Sequence, residues 1–161
     1  MALIEVGAKA PAVPGVAFGD GPVALLFYKD SCPVCQMTAP LTAAFEAGAP
    51  GRLVGVGQDD EGRRARFAST YGFASRSVGD LPPYDVSNAY GIVSVPTLVL
   101  VGRDGVVAEK RSWLLGDIIH SALDQCRGNL SEAARTLGLT RRGLYLKLRR
   151  LGIETQPGAT A

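Results

Sequence analysis

The feature that most constrains this chain is a pair of cysteines separated by two residues, Cys32-Pro33-Val34-Cys35. An apolar run, Val23-Ala24-Leu25-Leu26-Phe27-Tyr28, stands ahead of it, with Lys29-Asp30-Ser31 between. A short continuous apolar run closed by polar residues predicts a strand buried on both faces. Met37 to Ala47 predicts a helix. Cys32 therefore falls where a strand ends and a helix begins, and Cys35 lies one turn further on. The first turn of a helix offers free N–H groups and a partial positive charge. Both favour a thiolate over a thiol, so Cys32 is expected to be the more acidic and more nucleophilic of the two. Two intervening residues leave Cys35 within reach to close a disulfide.

The four letters alone do not decide the chemistry, because C-x-x-C also serves zinc. A Cys3His zinc site would have to add Cys126 and His120. Those two are six apart in a helical stretch and point about 120° away from each other, so no metal is expected. Cys126 lies on an apolar face and reads as buried packing rather than a sensor. His120 reads as a surface histidine, and Trp113 as packing.

A second segment joins the first: Ala89-Tyr90-Gly91-Ile92-Val93-Ser94-Val95-Pro96-Thr97-Leu98-Val99-Leu100-Val101. With Cys32-Pro33-Val34-Cys35 it resembles the thioredoxin superfamily, whose members carry a similar Tyr-Gly-Ile…Val-Pro-Thr run. Gly7-Ala8-Lys9-Ala10-Pro11 resembles the opening of the peroxiredoxin and TlpA-like branch. The resemblance implies a thioredoxin-like α/β fold with a cis proline, Pro96, facing the cysteine pair. It also implies that Val95 and Pro96 hold the backbone of a substrate, with Thr97 following them. The family usually has an Asp six residues before the first Cys, and here that residue is Leu26; its usual aromatic neighbour is Ser31. Water, Asp30, Asp59 or Asp60 would then accept the Cys35 proton, and exchange is expected to be slower or more specialised than in a general thioredoxin. Peroxiredoxins place Thr three residues before the reactive Cys, where this chain has Lys29.

At 161 residues the chain can form one ordinary domain plus a small appendage, and 47% hydrophobic residues suffice for a core. No apolar run reaches membrane-spanning length. The first residues lack the basic and long apolar regions of a secretory signal, so a cytoplasmic location and no membrane partner are expected. Three cysteines are too few for a disulfide framework. Gly19 to Pro22 predicts a turn, Arg52 to Gly57 a strand, and residues 61–71 a helix with an acidic start. Pro40 is expected to kink the cysteine helix. Ser75 to Pro83 reads as loop, and Val86 to Tyr90 as a short helix. Leu98–Val101 and Val106–Lys110 predict a hairpin around Asp104-Gly105.

Charge divides the chain. Residues 127–161 hold seven basic residues against two acidic ones, a net +5, which leaves −3 for residues 1–126 of an overall +2. A basic tail on a mildly acidic body points to an anionic partner. Within that tail, Gly128-Asn129-Leu130-Ser131-Glu132-Ala133-Ala134-Arg135-Thr136-Leu137-Gly138-Leu139-Thr140-Arg141-Arg142-Gly143-Leu144-Tyr145 resembles the Fis-type helix-turn-helix of bacterial enhancer-binding regulators. Ser131 and Thr140 are the expected helix caps, and Gly138 suits the turn. Leu137, Leu139, Leu144, Leu148 and Leu151 supply apolar contacts. The helix after Thr140 would be the recognition helix. Thr140, Arg141, Arg142, Tyr145, Lys147, Arg149 and Arg150 are the DNA-contacting candidates. Gly143 stands where the family usually has a small hydroxyl residue, and Leu146 where a basic one is common.

The expected organisation is a thioredoxin-like domain over 1–126, a Fis-type unit over 114–153, a helix over 114–126 common to both, and a frayed tail over 154–161. Leu115, Ile118, Ile119, Ala122 and Cys126 give that helix an apolar face for the sheet. The expected function is thiol–disulfide exchange through Cys32 and Cys35, coupled to DNA binding in a redox-responsive regulator. Its partners would be a protein or small-molecule disulfide, an electron-donating reductase or thiol, and DNA, with a homodimer as one arrangement and no cofactor. One alternative is a DNA-binding or protein-docking module with an idle or sensing cysteine pair. Another is a thiol peroxidase.

Overall fold

The computed structural model describes residues 3–112, 115–151 and 153; among these, the side chains of residues 115, 117, 118, 150 and 151 are excepted. Two compact units divide the chain, Met1–Ser112 and Trp113–Ala161.

The first unit is built on a five-stranded mixed sheet. The central strand β1, Val23–Tyr28, is buried at every position. It pairs in parallel with β2, Leu53–Gly57, and antiparallel with β4, Thr97–Val101. Strand β3, Arg76–Gly79, adds in parallel outside β2, and β5, Val107–Ser112, antiparallel outside β4. A strand buried on both faces must be apolar throughout. Val23, Leu25 and Phe27 of β1 join Val54, Val56, Tyr90, Val99 and Val101 in one core. On the opposite face Tyr28 stacks against Phe67 and Phe73, with ring centroids 4.7 and 5.1 Å away. Gly55 of β2 makes room for these rings: a Cβ there would meet Phe73 and Tyr28 ring carbons at 2.8 Å.

Helix α1, Pro33–Gly48, follows β1 and runs through Pro40. Helix α2, Glu61–Tyr71, follows β2; the Asp60 carboxylate accepts from the Arg63 amide at its start. Helix α3, Asp85–Ala89, is a short turn before the Val95–Pro96 segment. The 97–101 and 107–112 strands form the expected hairpin, each with bounds shifted by a residue or two.

Among the described residues the second unit has three helices, α4 Leu115–Gln125, α5 Leu130–Thr136 and α6 Arg141–Leu151, packed on one another. Ile119, Ala122, Ala133, Ala134, Leu137, Leu144 and Leu148 are buried. Gly138, at φ +65°, ends α5: its amide donates to Arg135 and the Leu139 amide to Ala134. These two bonds satisfy carbonyls that a helix end would leave open.

Three expectations need correction. Residues 76–79, read as loop, form a strand; Arg-Ser-Val-Gly is short, polar and at the sheet edge, where no apolar alternation is required. Helix α1 begins at Pro33 rather than Met37, because proline suits the first helical position. The cap of α5 is Asn129 rather than Ser131: its side-chain oxygen accepts from both the Ser131 and Glu132 amides at 3.1 Å. The helix expected to serve both units is grouped with the second, whose boundary falls at residue 113. Trp113 and the tail over 154–161 lie outside the described residues.

Candidate functional site

The backbone after β1 turns at Lys29-Asp30-Ser31 and delivers Cys32 to the N-cap of α1, where the Cys32 amide donates to Lys29. The following proline supplies no donor, and the Cys32 sulfur accepts from the Cys35 amide at 3.4 Å. The sulfur thus takes the place of the oxygen of an ordinary capping side chain. Cys32 is half-buried and Cys35 only 1% exposed.

The two thiols are driven apart in acidity. The Cys35 thiol donates to the Cys32 sulfur and pulls Cys32 down to about 6; the Cys35 and Val34 amides act in the same direction, and burial opposes them. Cys35 is pushed well up, first by giving its hydrogen to Cys32 and then by burial, against a weaker backbone contact from Lys29. One sulfur is therefore a thiolate near neutral pH and the other a protected thiol.

Val95 lies directly beside this pair. When protonated, Cys32 donates to the Val95 carbonyl at 3.4 Å, and the Val95–Pro96 bond is cis. Val95 is half-buried and Pro96 buried. Thr97 is 1% exposed, and its hydroxyl is used internally: it donates to the Ser94 carbonyl at 2.8 Å and meets the Ser112 hydroxyl at 2.7 Å. Thr97 braces the segment that presents Val95.

The carboxylates considered as proton acceptors are committed elsewhere. Asp60 caps α2. Asp30, 5% exposed, pairs with Arg66; Asp59, 4% exposed, accepts from the Asp30 amide at 2.6 Å and lies 3.8 Å from Arg63. The Asp30 carbonyl accepts from the Gln36 side chain at 2.7 Å. Sequence reading could not foresee these contacts, which span up to 36 positions along the chain. Cys126 is half-buried, its sulfur 3.9 Å from the Thr136 hydroxyl, and His120 is exposed. Among the described residues no three His, Cys, Asp or Glu side chains are grouped to hold a metal ion, and no helix is long and apolar enough to cross a membrane.

In the second unit, Thr140 caps α6 as expected, its hydroxyl accepting from the Gly143 amide at 3.0 Å. A Cβ at Gly143 would come within 3.0 Å of that same oxygen, so the glycine gives the cap clearance. Leu144 and Leu148 point inward; Arg141, Arg142, Tyr145, Leu146 and Arg149 are exposed, and Lys147 is half-buried. Arg150 belongs to the helix, and its side chain lies outside the described residues. Thus 141, 145 and 149 fall on one exposed row at helical spacing.

Residues 116–151 match the family model described as bacterial regulatory protein, Fis family. Solved structures similar to the chain include the thioredoxin domain of a thiol-disulfide oxidoreductase from Bacteroides vulgatus. That likeness has 21% identity and a TM-score of 0.60, covering 76% of this chain and 98% of the other. A DsbE protein from Chlorobium tepidum, ascribed to thiol:disulfide interchange, matches at 23% identity and a TM-score of 0.61 over 84% and 99% of the two chains. The Mycobacterium tuberculosis protein dsbF, solved in mixed oxidized and reduced forms, matches at 24% identity and 0.53 over 61% and 73%. No curated protein matches the sequence. The fold is thioredoxin-like α/β, extended at its C-terminal end by a Fis-type helix-turn-helix.

Proposed function

We propose that the chain is a thiol–disulfide oxidoreductase whose C-terminal helices bind DNA. The observation that carries the first half is the asymmetry of the pair: a half-exposed Cys32 pulled down to about 6 above a buried Cys35 pushed up. The Cys32 thiolate attacks one sulfur of a substrate disulfide, forming a mixed disulfide and releasing the other sulfur as a thiolate. Cys35 then gives up its proton and attacks the Cys32 sulfur. A Cys32–Cys35 disulfide forms, the substrate leaves as a second thiol, and two electrons have passed from the pair to the substrate. An electron-donating thiol or reductase restores the reduced pair. Val95 offers its backbone to an extended substrate beside Cys32, and Thr97 holds that segment.

The second half rests on the row Arg141, Tyr145 and Arg149, with Arg142 beside it, on a helix capped by Thr140. These groups, with Lys147 and Arg150 on the same helix, suit phosphate and base-edge contacts. The bacterial-regulator description of the matching family supports a role in transcription, with the cysteine pair as its redox input. A cytoplasmic setting belongs to the proposal, because that is where a bacterial protein meets chromosomal DNA.

Turnover of glutathione disulfide or a protein disulfide with a thiol donor tests the first half. Cys32→Ser is expected to abolish turnover, and Cys35→Ser to accumulate the mixed disulfide. Faster consumption of hydrogen peroxide than of any disulfide would favour the peroxidase reading instead. A gel shift on duplex DNA at two salt concentrations tests the second half, with loss expected in Arg141→Ala/Arg142→Ala.

A further inference from the structure

Asp30 stands two residues ahead of Cys32, and each of its polar groups is held by a different part of the first unit. Its amide donates to the Asp59 carboxylate at 2.6 Å, reaching from the end of β1 to the end of β2. Its carbonyl accepts from the Gln36 side chain at 2.7 Å, reaching into the first turns of α1. Its carboxylate pairs with Arg66 of α2, a side chain 64% exposed. Asp30 and Asp59 are themselves almost wholly buried. Burying two carboxylates is costly unless each is paired and hydrogen-bonded. Arg66 on Asp30 and Arg63 at 3.8 Å from Asp59 supply that pairing. Hydrogen bonds to ionised groups are the stronger kind, so the Asp30–Asp59 contact is a firm anchor.

We propose that Asp59 is a positioning residue for the Cys32 nucleophile, fixing through the Asp30 amide the turn that carries Cys32 to the start of α1. The 3.4 Å contacts of the Cys32 sulfur, to the Cys35 amide and to the Val95 carbonyl, exist only while that turn is held. The effect is one of geometry, and its sign separates it from electrostatics. Removing a nearby carboxylate by charge alone lowers a thiol pKa. Losing the anchor moves the sulfur off the helix start and raises it.

The inference rests on the exchange reading, in which Cys32 is the attacking sulfur. Its test measures thiol reactivity, which is present whether or not the pair turns over a disulfide. The reduced full chain is alkylated with iodoacetamide across a pH series, and labelling at Cys32 is followed by mass spectrometry. Asp59→Ala is expected to raise the labelling midpoint by about one unit, which is about a tenfold smaller thiolate fraction below the midpoint. Asp59→Asn keeps an oxygen for the Asp30 amide and is expected to keep the midpoint or lower it. Gln36→Met removes the second anchor with no change of charge, and a smaller rise is expected. An unchanged or lowered midpoint in folded Asp59→Ala overturns the proposal, as does a rise in Asp59→Asn as large as that in Asp59→Ala. Should Asp59→Ala fail to fold, Gln36→Met decides: a raised midpoint supports the positioning role and an unchanged one overturns it. Loss of disulfide turnover in the parent chain with these shifts intact would count against the exchange reading alone.

Discussion

Cys32 and Cys35 are three positions apart, yet Cys32 is half-buried and Cys35 only 1% exposed. That difference was legible in the sequence, because the spacing from an apolar strand to a helix start fixes which cysteine caps the helix. The size of the separation was not legible, since it comes from one thiol donating to the other. Alkylation of the pair in the reduced chain should rise through about pH 6 and level off, at Cys32 rather than Cys35; equal labelling of Cys35 would refute the asymmetry. Stability follows from the same two groups. Between about 6 and the usual 9.0, folded Cys32 has released a proton that the unfolded chain still holds, so stability rises with pH across this window and the gain is lost below it. Above 9.0 the unfolded chain ionises at Cys35 while the folded one does not, and stability falls again. Thermal melts of the reduced protein against Cys32→Ser should show an advantage that grows from pH 6 to 9; a constant difference would contradict the assignment. At the other end of the chain, Arg141 and Arg142 sit in the first turn of α6, against its dipole, at a cost of about 0.3–1 kcal/mol each. A bound phosphate would offset that cost.

Among the elements, the helix-turn-helix was read through its resemblance to the Fis type, and the hydrophobic pattern identified β1, β2 and the 97–112 hairpin. The pattern failed for β3, where Arg76 and Gly79 are exposed and Val78, the one apolar residue of the four, packs against the core. It also failed for the cap of α5, because Asn129 and Ser131 are both good caps and only the chain path decides between them. Strand β2 shows how little slack the sheet has. Gly55→Ala would put a methyl group 2.8 Å from two aromatic rings, and we expect a loss of about 1–3 kcal/mol in denaturant unfolding. A neutral result would mean that Tyr28 and Phe73 can shift apart. In the second unit, Thr140→Ala removes the acceptor for the Gly143 amide and should cost about 1 kcal/mol of helical stability, read by circular dichroism on heating. Pro96, by contrast, was read correctly as cis beside the cysteine pair through likeness to a family rather than through pattern.

For the molecule as a whole, the charge asymmetry narrows to one helix. Taken by compact units, Met1–Ser112 carries −1 and Trp113–Ala161 carries +3, while α6 alone has five cations and no carboxylate. A single such helix neutralises few phosphates, and binding should weaken with salt at about 0.9 log units per phosphate per decade of salt. Tight reading of a palindrome needs two copies one helical turn of DNA apart. Sedimentation with and without DNA, beside titrations at two salt concentrations, should therefore show either a dimer or weak, largely non-specific binding. A strict monomer that binds tightly and specifically would refute this reasoning. The burial of Cys35 has a separate consequence. Once Cys32 is blocked, a thiol reagent can reach Cys35 only through an opening of the structure around it, so its slow modification is a clock for that opening. Run at increasing denaturant, the clock reports how much surface each opening exposes, and thereby whether the start of α1 frays by itself or the first unit must come apart.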